Sequence, residues 1–287
     1  MLLSFVSQNL LYGGLRSSTG DQEDRWPELL KRITSGSQSP DFVLVQEAEN
    51  WDKYSHKALG RAMSDLKMSA LPLPPSSSGN LPGLLYRPET VGQWKGWNAE
   101  YSGHTVHGFG VAAFDVGLPS PLSVASIHLN FFSADLAVEE AALVLNRAYS
   151  YGPFAVIGGD MNYQPRKDPE PDFTKMMPYH YSMRTKLSEP GQNEPLATDR
   201  RVTGKYEQAA LVDVAYHMFE KTGDKKYLEE TATGGMRIDQ FWVSQPLASA
   251  IVDYQIIDEP IDASDHKGIA FQLDTKLIDT SNIWKFH

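Results

Sequence analysis

Residues 154–162 read FAVIGGDMN: an apolar run, two glycines, then Asp160 and Asn162 on alternate positions. Phe154–Gly158 has the length and bounding glycines of a fully buried strand. In an extended chain side chains alternate, so Asp160 and Asn162 lie on one side of the segment. The doubled glycine permits a sharp turn. A buried strand that ends in a carboxylate and an amide fits an α/β scaffold, in which strand ends aim side chains into a shared crevice.

The pattern repeats outward along the chain. Asn9 closes the apolar start, Glu47 follows FVLVQ, and His128 follows SVASI. Asp239 sits inside MRIDQFWVS, and Asp265 and His266 follow a Pro/Asp-rich turn. Taken singly, each has a plain structural explanation. Asp and Asn are common turn and cap residues, a lone His is often hydrogen-bonded structure, and Asp239 has a possible buried partner in Arg237. Taken together they place a carboxylate, amide or imidazole at five strand ends. Hard oxygen donors in a chain with no cysteine suit Mg²⁺ or Mn²⁺ rather than structural zinc. Two histidines among them supply acid/base capacity near neutral pH.

Between these points strands and helices alternate. Strands are expected at Leu2–Leu10, Phe42–Gln46, Gly83–Arg87, Gly108–Val116, Leu122–Asn130, Arg237–Val243, Ala250–Ile257 and Gly268–Leu273. Helices are expected at Gln22–Ile33, from about Trp51 to Leu66, at Ala134–Tyr149, and near Tyr206–Met218. Residues 71–79, LPLPPSSSG, form a loop. A long excursion at 163–205 holds six prolines and eight Lys/Arg against six Asp/Glu, and is expected to be a functional or mobile loop. With no repeat and no linker, 1–287 reads as one α/β domain of mixed strand order.

Composition sets outer limits. The chain has 287 residues, 41% hydrophobic and 22% charged, ordinary for a folded protein and unlike disordered, collagen-like or coiled-coil chains. Lys plus Arg number 26 and Asp plus Glu 36, a net charge of −10, which argues against tight, non-specific duplex binding through phosphate neutralisation. Cysteine is absent, which excludes disulfides, thiolate metal sites and a cysteine nucleophile. MLLSFVSQNL lacks the features of a signal peptide and no apolar run approaches a membrane span, so the expectation is a cytoplasmic protein with no membrane span.

The motifs SQNL (7–10), VQEAE (45–49), SIHLN (126–130), GGDMN (158–162), RIDQF (237–241) and SDHKG (264–268) resemble those of the endonuclease/exonuclease/phosphatase superfamily, in that family's order and over nearly the whole chain. GLLYRPE (83–89) and LVDVAY (211–216) resemble its connecting strands. The resemblance implies a DNase I-like four-layer α/β sandwich, with two mixed sheets face to face and helices outside. It also implies metal-dependent hydrolysis of a phosphoester substrate. In that reading Glu47, with Asn9 and Asp265, holds Mg²⁺ or Mn²⁺. Asp160 activates the attacking water, and Asn162 positions water or phosphate. His266, oriented by Asp239, contacts the phosphoryl group, and His128 donates to a phosphate or leaving oxygen.

Three departures bear on substrate. Apurinic endonucleases carry an acidic residue where this chain has Leu11. Pancreatic deoxyribonuclease has a DNA-touching Arg at the position of Glu49 and a His-supporting Glu near that of Asn80. His128 therefore needs some other partner. Nucleic acid stays possible as substrate. A small or lipid-linked phosphate is the alternative, and a non-catalytic binding protein is a third reading. Arg166, Lys167, Arg184, Arg200 and Arg201 would favour nucleic acid if they converge beside the site. Trp51, Trp94, Trp97 and Trp242 would favour a small substrate if they line a pocket.

Overall fold

The strand Phe42–Gln46 shows how the chain builds layers. Phe42 and Leu44 enter one apolar cluster and Val43 and Val45 enter another, because successive side chains leave a strand on opposite faces. A sheet with both faces apolar must be covered twice. A computed structural model describes residues 1–17, 19–36, 39–187, 196–281 and 283. Its strands are β1 (Leu2–Asn9), β2 (Phe42–Gln46), β3 (Ser69–Ala70), β4 (Gly83–Tyr86), β5 (Trp94–Asn98), β6 (Phe109–Phe114), β7 (Leu122–His128), β8 (Phe154–Asp160), β9 (Leu211–Asp213), β10 (Asp239–Ser244), β11 (Ile251–Ile257) and β12 (Gly268–Asp274). Its helices are α1 (Trp26–Gly36), α2 (Lys57–Leu66), α3 (Pro88–Val91), α4 (Ala134–Ala148), α5 (Pro178–Arg184), α6 (Arg201–Gln208) and α7 (Val214–Thr222).

The strands form two six-stranded sheets, ordered β11-β12-β1-β2-β4-β3 and β5-β6-β7-β8-β10-β9. Each is mixed: β1 with β2 and β7 with β8 run parallel, and the other neighbours antiparallel. Between the sheets lies a core of Phe5, Phe42, Leu44, Phe114, Val124, Phe154, Val156, Phe241 and Phe271. Phe5 stacks between Phe42 and Phe271, at centroid distances of 4.9 and 4.6 Å. The outer face of the first sheet packs on α1 and α2 through Val6, Val43, Leu29, Ile33 and Leu59. The outer face of the second packs on α4 and α6 through Ala125, Ile127, Ala141, Val144 and Tyr206. The result is the expected four-layer α/β sandwich.

Register brings the polar strand ends together. His128 on β7 pairs with Asp160 on β8, and Asp160 pairs with Asp239 on β10. In the other sheet Asn9 on β1 pairs with Gln46, the residue before Glu47. The bend that ends β8 requires glycine at 159. Its φ is 141° and a Cβ there would meet the Ile127 carbonyl oxygen at 2.0 Å.

Three local expectations are corrected. The helix expected near Tyr206–Met218 is two helices, α6 and α7, separated by β9. Its three residues pair with β10 and cover the open edge of that strand, and Asp213 then caps α7 by accepting from the Ala215 and Tyr216 amides. The helix expected from Trp51 begins as regular α-helix only at Lys57, after a turn with positive φ at Tyr54, Ser55 and His56. The 163–205 excursion contains α5 and the start of α6, besides 188–195, which lie outside the described residues. Sequence periodicity also missed β5, an edge strand, and the two-residue β3. Among the described residues no helix is long and apolar enough to cross a membrane.

Candidate active site

At the end of the sandwich where β1, β7 and β8 finish and β10 begins, seven of the eight sequence-predicted residues join one cluster. Asp160, 2% exposed, is its centre. Its Oδ1 accepts from the Asn162 amide at 2.9 Å, and its Oδ2 accepts from Asn9 Nδ2 at 3.2 Å. The same oxygen faces His128 Nε2 at 3.4 Å and His266 Nε2 at 3.8 Å. Asn9 Nδ2 also donates to Glu47 Oε1 at 3.2 Å, so one amide nitrogen bridges two carboxylates from different sheets. Asn162 extends the cluster, with its Nδ2 donating to Leu129 O at 2.9 Å.

His266 Nδ1 lies 2.9 Å from Asp239 Oδ2. Burial disfavours the imidazolium, but the carboxylates of Asp239 and then Asp160 outweigh it and hold the imidazole pKa well above the ordinary value. Burial pushes the Asp239 carboxyl up, against the charge and hydrogen bond of His266. With Oδ2 placed to accept from Nδ1, the shared proton belongs on the imidazole. Thr231, fully buried and unremarked in the sequence, fixes this pair from behind. Its hydroxyl accepts from the Ile238 and Asp239 amides, and its carbonyl accepts from the Lys267 amide. The alternative partner for Asp239 is corrected: Arg237 is bound to Asp168 and Asp213 instead.

Two of the candidate-site positions hold left-handed backbone without being glycine, Glu47 at φ 54° and Asn162 at φ 59°. Such conformations cost on the order of 1–3 kcal/mol and persist where surroundings impose them. Around Glu47 the surroundings are explicit. Its carbonyl accepts from the Gly13 and Glu49 amides at 2.7 Å, and its Oε2 accepts from the Tyr12 amide at 3.2 Å. Gly13 fits there because a Cβ would sit 2.4 Å from the Glu49 carbonyl oxygen, and its own carbonyl takes Trp51 Nε1 at 3.1 Å.

Asp265 does not join this cluster. Its side chain is exposed, and its one hydrogen bond to a described residue is from Ser264, at 3.4 Å. Glu49, at the position of a DNA-touching Arg elsewhere, pairs with Arg16. Among the described residues Asp160, Asp239 and His266 can each offer one ligand atom within 4.8 Å of the others. Asp239 Oδ1 is buried with no hydrogen-bond partner among the described residues. The carboxylates of Glu47, Asp160 and Asp239 are hard oxygen donors whose negative charge exceeds the one proton that the imidazolium of His266 carries beside them. Such a donor set fits a divalent cation.

The partner of His128 is His107, which sequence reading missed. The two rings stack at 3.9 Å with 7° between planes, and His107 Nδ1 lies 2.8 Å from Ser78 Oγ. Glu140 on α4 anchors the loops beside both rings by accepting from the Val106 and Asn130 amides. Only the pairing of β6 with β7 brings 107 beside 128, so no local sequence signal would have found it. Burial, and then the charge of His128, hold the His107 pKa down to about 2. Below pH 6.5 the unfolded chain protonates this residue and the native chain does not, so its contribution is complete above that pH and falls as pH drops. Lowering pH from 7 to 5 should cost about 2 kcal/mol through this group. Urea midpoints at the two pH values should show a shallower loss for His107→Phe. An unchanged dependence would refute the assignment.

The basic residues divide. Arg166, Arg200 and Arg201 meet Lys186 and Lys205 around a surface cavity of about 410 Å³. Arg166, Arg200 and Arg201 are paired there with Glu207, Glu170, and Asp199 with Asp135. Lys167 lies elsewhere, over Tyr216, and Arg184 is buried against Asn162. Of the tryptophans, Trp51 lines an apolar cavity of about 670 Å³ beside Gly13, together with Leu15, Trp26 and Tyr54. Trp242 is core, and Trp94 and Trp97 lie on β5.

A family model described as the Endonuclease/Exonuclease/phosphatase family matches residues 6–266. No curated protein matches the chain in sequence. Among solved structures it is similar to D. rerio TDP2 humanized by 14 mutations, at 16% identity and a TM-score of 0.61, over 96% of this chain and 99% of that one. It is similar to the 3′ phosphatase NExo from Neisseria bound to a product DNA hairpin, at 13% identity and 0.61, over 95% and 99%. It is also similar to the AP endonuclease LMAP from Leishmania major, at 14% identity and 0.61, over 95% and 87%. At these identities the likeness is one of fold.

Proposed function

The chain belongs to the endonuclease/exonuclease/phosphatase family, and on that premise we propose that it is a Mg²⁺- or Mn²⁺-dependent phosphoester hydrolase of phosphodiesterase or nuclease type. What supports this most is the convergence of Asn9, Glu47, His128, Asp160, Asp239 and His266 from the strand ends of two sheets. Because both sheets contribute, 1–287 is taken to work as one domain.

Glu47, with Asn9, would hold the cation beside Asp160, and the exposed Asp265 is left out of that set. When bound, the ion neutralises phosphate oxygens and stabilises the charge that develops on them. Asp160 accepts a proton from the attacking water as the water oxygen bonds to phosphorus. The bond from phosphorus to the leaving oxygen breaks, and His128 returns a proton to that oxygen or donates to a phosphate oxygen. His266, kept charged by Asp239, donates to the phosphoryl group. One water is consumed, and one phosphoester becomes a phosphate and an alcohol.

Nucleic acid is the favoured substrate class. The NExo structure holds a product DNA hairpin, and the cavity with Lys186 and Lys205 offers a cationic surface on the 163–205 excursion. The apolar cavity beside Gly13 favours a second reading, a small or lipid-linked phosphate whose apolar part occupies it. Hydrolysis of plasmid DNA, RNA and bis-p-nitrophenyl phosphate, each with Mg²⁺ or Mn²⁺ and with EDTA, separates these. Cutting of nucleic acid that EDTA abolishes and added metal restores is expected. Turnover of the small diester alone would move the assignment to the second reading. Inactivity on all three together with no bound Mn²⁺ would refute metal-dependent hydrolysis and leave a binding protein.

A further inference from the structure

Four arginines are buried among the described residues. Arg25 and Arg32 spend their guanidinium groups on main-chain carbonyls, and Arg237 on two carboxylates. Arg184 differs. It is 7% exposed, yet forms no ion pair with any described residue, and its buried Nε has no acceptor. Its guanidinium makes one hydrogen bond to a described residue, from Nη2 to Asn162 Oδ1 at 2.8 Å. A guanidinium carries five N–H donors in a planar fork and keeps its charge at any ordinary pH. Burying that charge beside a neutral amide is unfavourable unless something else brings the anion.

The seat of Arg184 is built. It ends α5, where the Thr185 amide donates to Tyr181 O at 3.1 Å and Tyr181 Oη donates to Phe173 O. An isolated bridge joins Thr185 to Thr198, and the Asp199 amide donates to Arg184 O at 2.8 Å. The side chain is thus delivered to Asn162, within the field of Asp160 and Asp239, by the excursion expected to be a loop. Asn162 has its own amide engaged at both ends, Nδ2 on Leu129 O and Oδ1 under Arg184. Of the two residues, the arginine has more donors left for a ligand.

We propose that Arg184 is a substrate-binding residue of this site, donating guanidinium N–H groups that no described residue accepts to a non-bridging oxygen of the scissile phosphate while holding Asn162 in position. This rests on the hydrolase reading above and assigns it a residue from the excursion. Since a planar fork suits phosphate oxygens and an ammonium on a flexible stem does not reproduce it, lysine should be a poor replacement.

The test measures binding of inorganic phosphate by calorimetry, without metal and with Mg²⁺, in the wild type, Arg184→Lys and Arg184→Met. Initial rates on bis-p-nitrophenyl phosphate are measured alongside. Phosphate affinity should fall at least about tenfold in both variants, and kcat/KM by about 100-fold. Added methylguanidinium should restore part of the rate in Arg184→Ala, which a merely structural role would not allow. Phosphate binding equal in wild type and variants, or absent from the wild type, would overturn the proposal. Should Arg184→Met not fold, Arg184→Lys and the methylguanidinium rescue decide the matter. Loss of phosphate binding in the variants of a wild type that hydrolyses no phosphoester would uphold the anion site and refute the hydrolase reading.

Discussion

Asp160→Asn should lower kcat on a phosphodiester by about 10²–10⁴-fold, the range a positioned general base contributes, with little change in KM. The carboxylate is the point on which Asn9, His128, His266 and the Asn162 amide converge. The amide keeps its size and one carbonyl oxygen, so the acceptor for the Asn162 amide can be preserved. It cannot accept a proton from water, and its NH₂ group would face the donors that Oδ2 now receives. Initial rates at saturating and limiting substrate separate the effect on kcat from that on KM, and far-ultraviolet circular dichroism checks that the fold persists. Activity within about threefold of wild type would remove Asp160 from the role of base.

Arg237→Met should be the most destabilising single change, by about 3–5 kcal/mol. Arg237 is fully buried between two carboxylates. Its Nε and Nη2 donate to Asp168 at 2.8 Å each, and its Nη1 and Nη2 to Asp213 at 3.1 and 2.5 Å. Methionine leaves both carboxylates buried without a cation, and it is this uncompensated charge, more than the lost pair itself, that sets the cost. Arg237, two residues before Asp239, thereby fastens the excursion, through Asp168, to the junction of β9 and α7, through Asp213. Denaturant unfolding measures the loss. Adding Asp168→Leu to Arg237→Met should recover part of it, since one orphaned charge is removed. A loss below about 1 kcal/mol for Arg237→Met would show that the pair contributes little.

Much of the site was legible in the sequence because its residues end apolar runs. Asn9, Glu47, His128, Asp160 and Asn162 each follow a buried strand, and β2 was bounded exactly where it lies, at Phe42–Gln46. Legibility failed where a position depends on contacts between distant segments. His107 becomes the neighbour of His128 through the pairing of β6 with β7, and Thr231 supports Asp239 from a turn with no periodicity. Arg184 is one of five basic residues that the sequence offers for a nucleic-acid groove, and only the packing of α5 buries it against Asn162, apart from the other four. Asp265, beside His266 in the same motif, stays exposed, because adjacent side chains in an extended segment point to opposite sides.

The sequence by itself determined the family, the alternation of strands and helices, and the chemical types gathered at strand ends. Those follow from local periodicity and from motifs a few residues long. The tertiary structure decided which of those groups meet. Parallel pairing of β7 with β8 and antiparallel pairing of β8 with β10 set His128, Asp160 and Asp239 in one row, and stacking the sheets set Asn9 and Glu47 opposite them. The physical reason is that register and sheet packing are set by summed side-chain burial over the whole core, a quantity that no single segment carries.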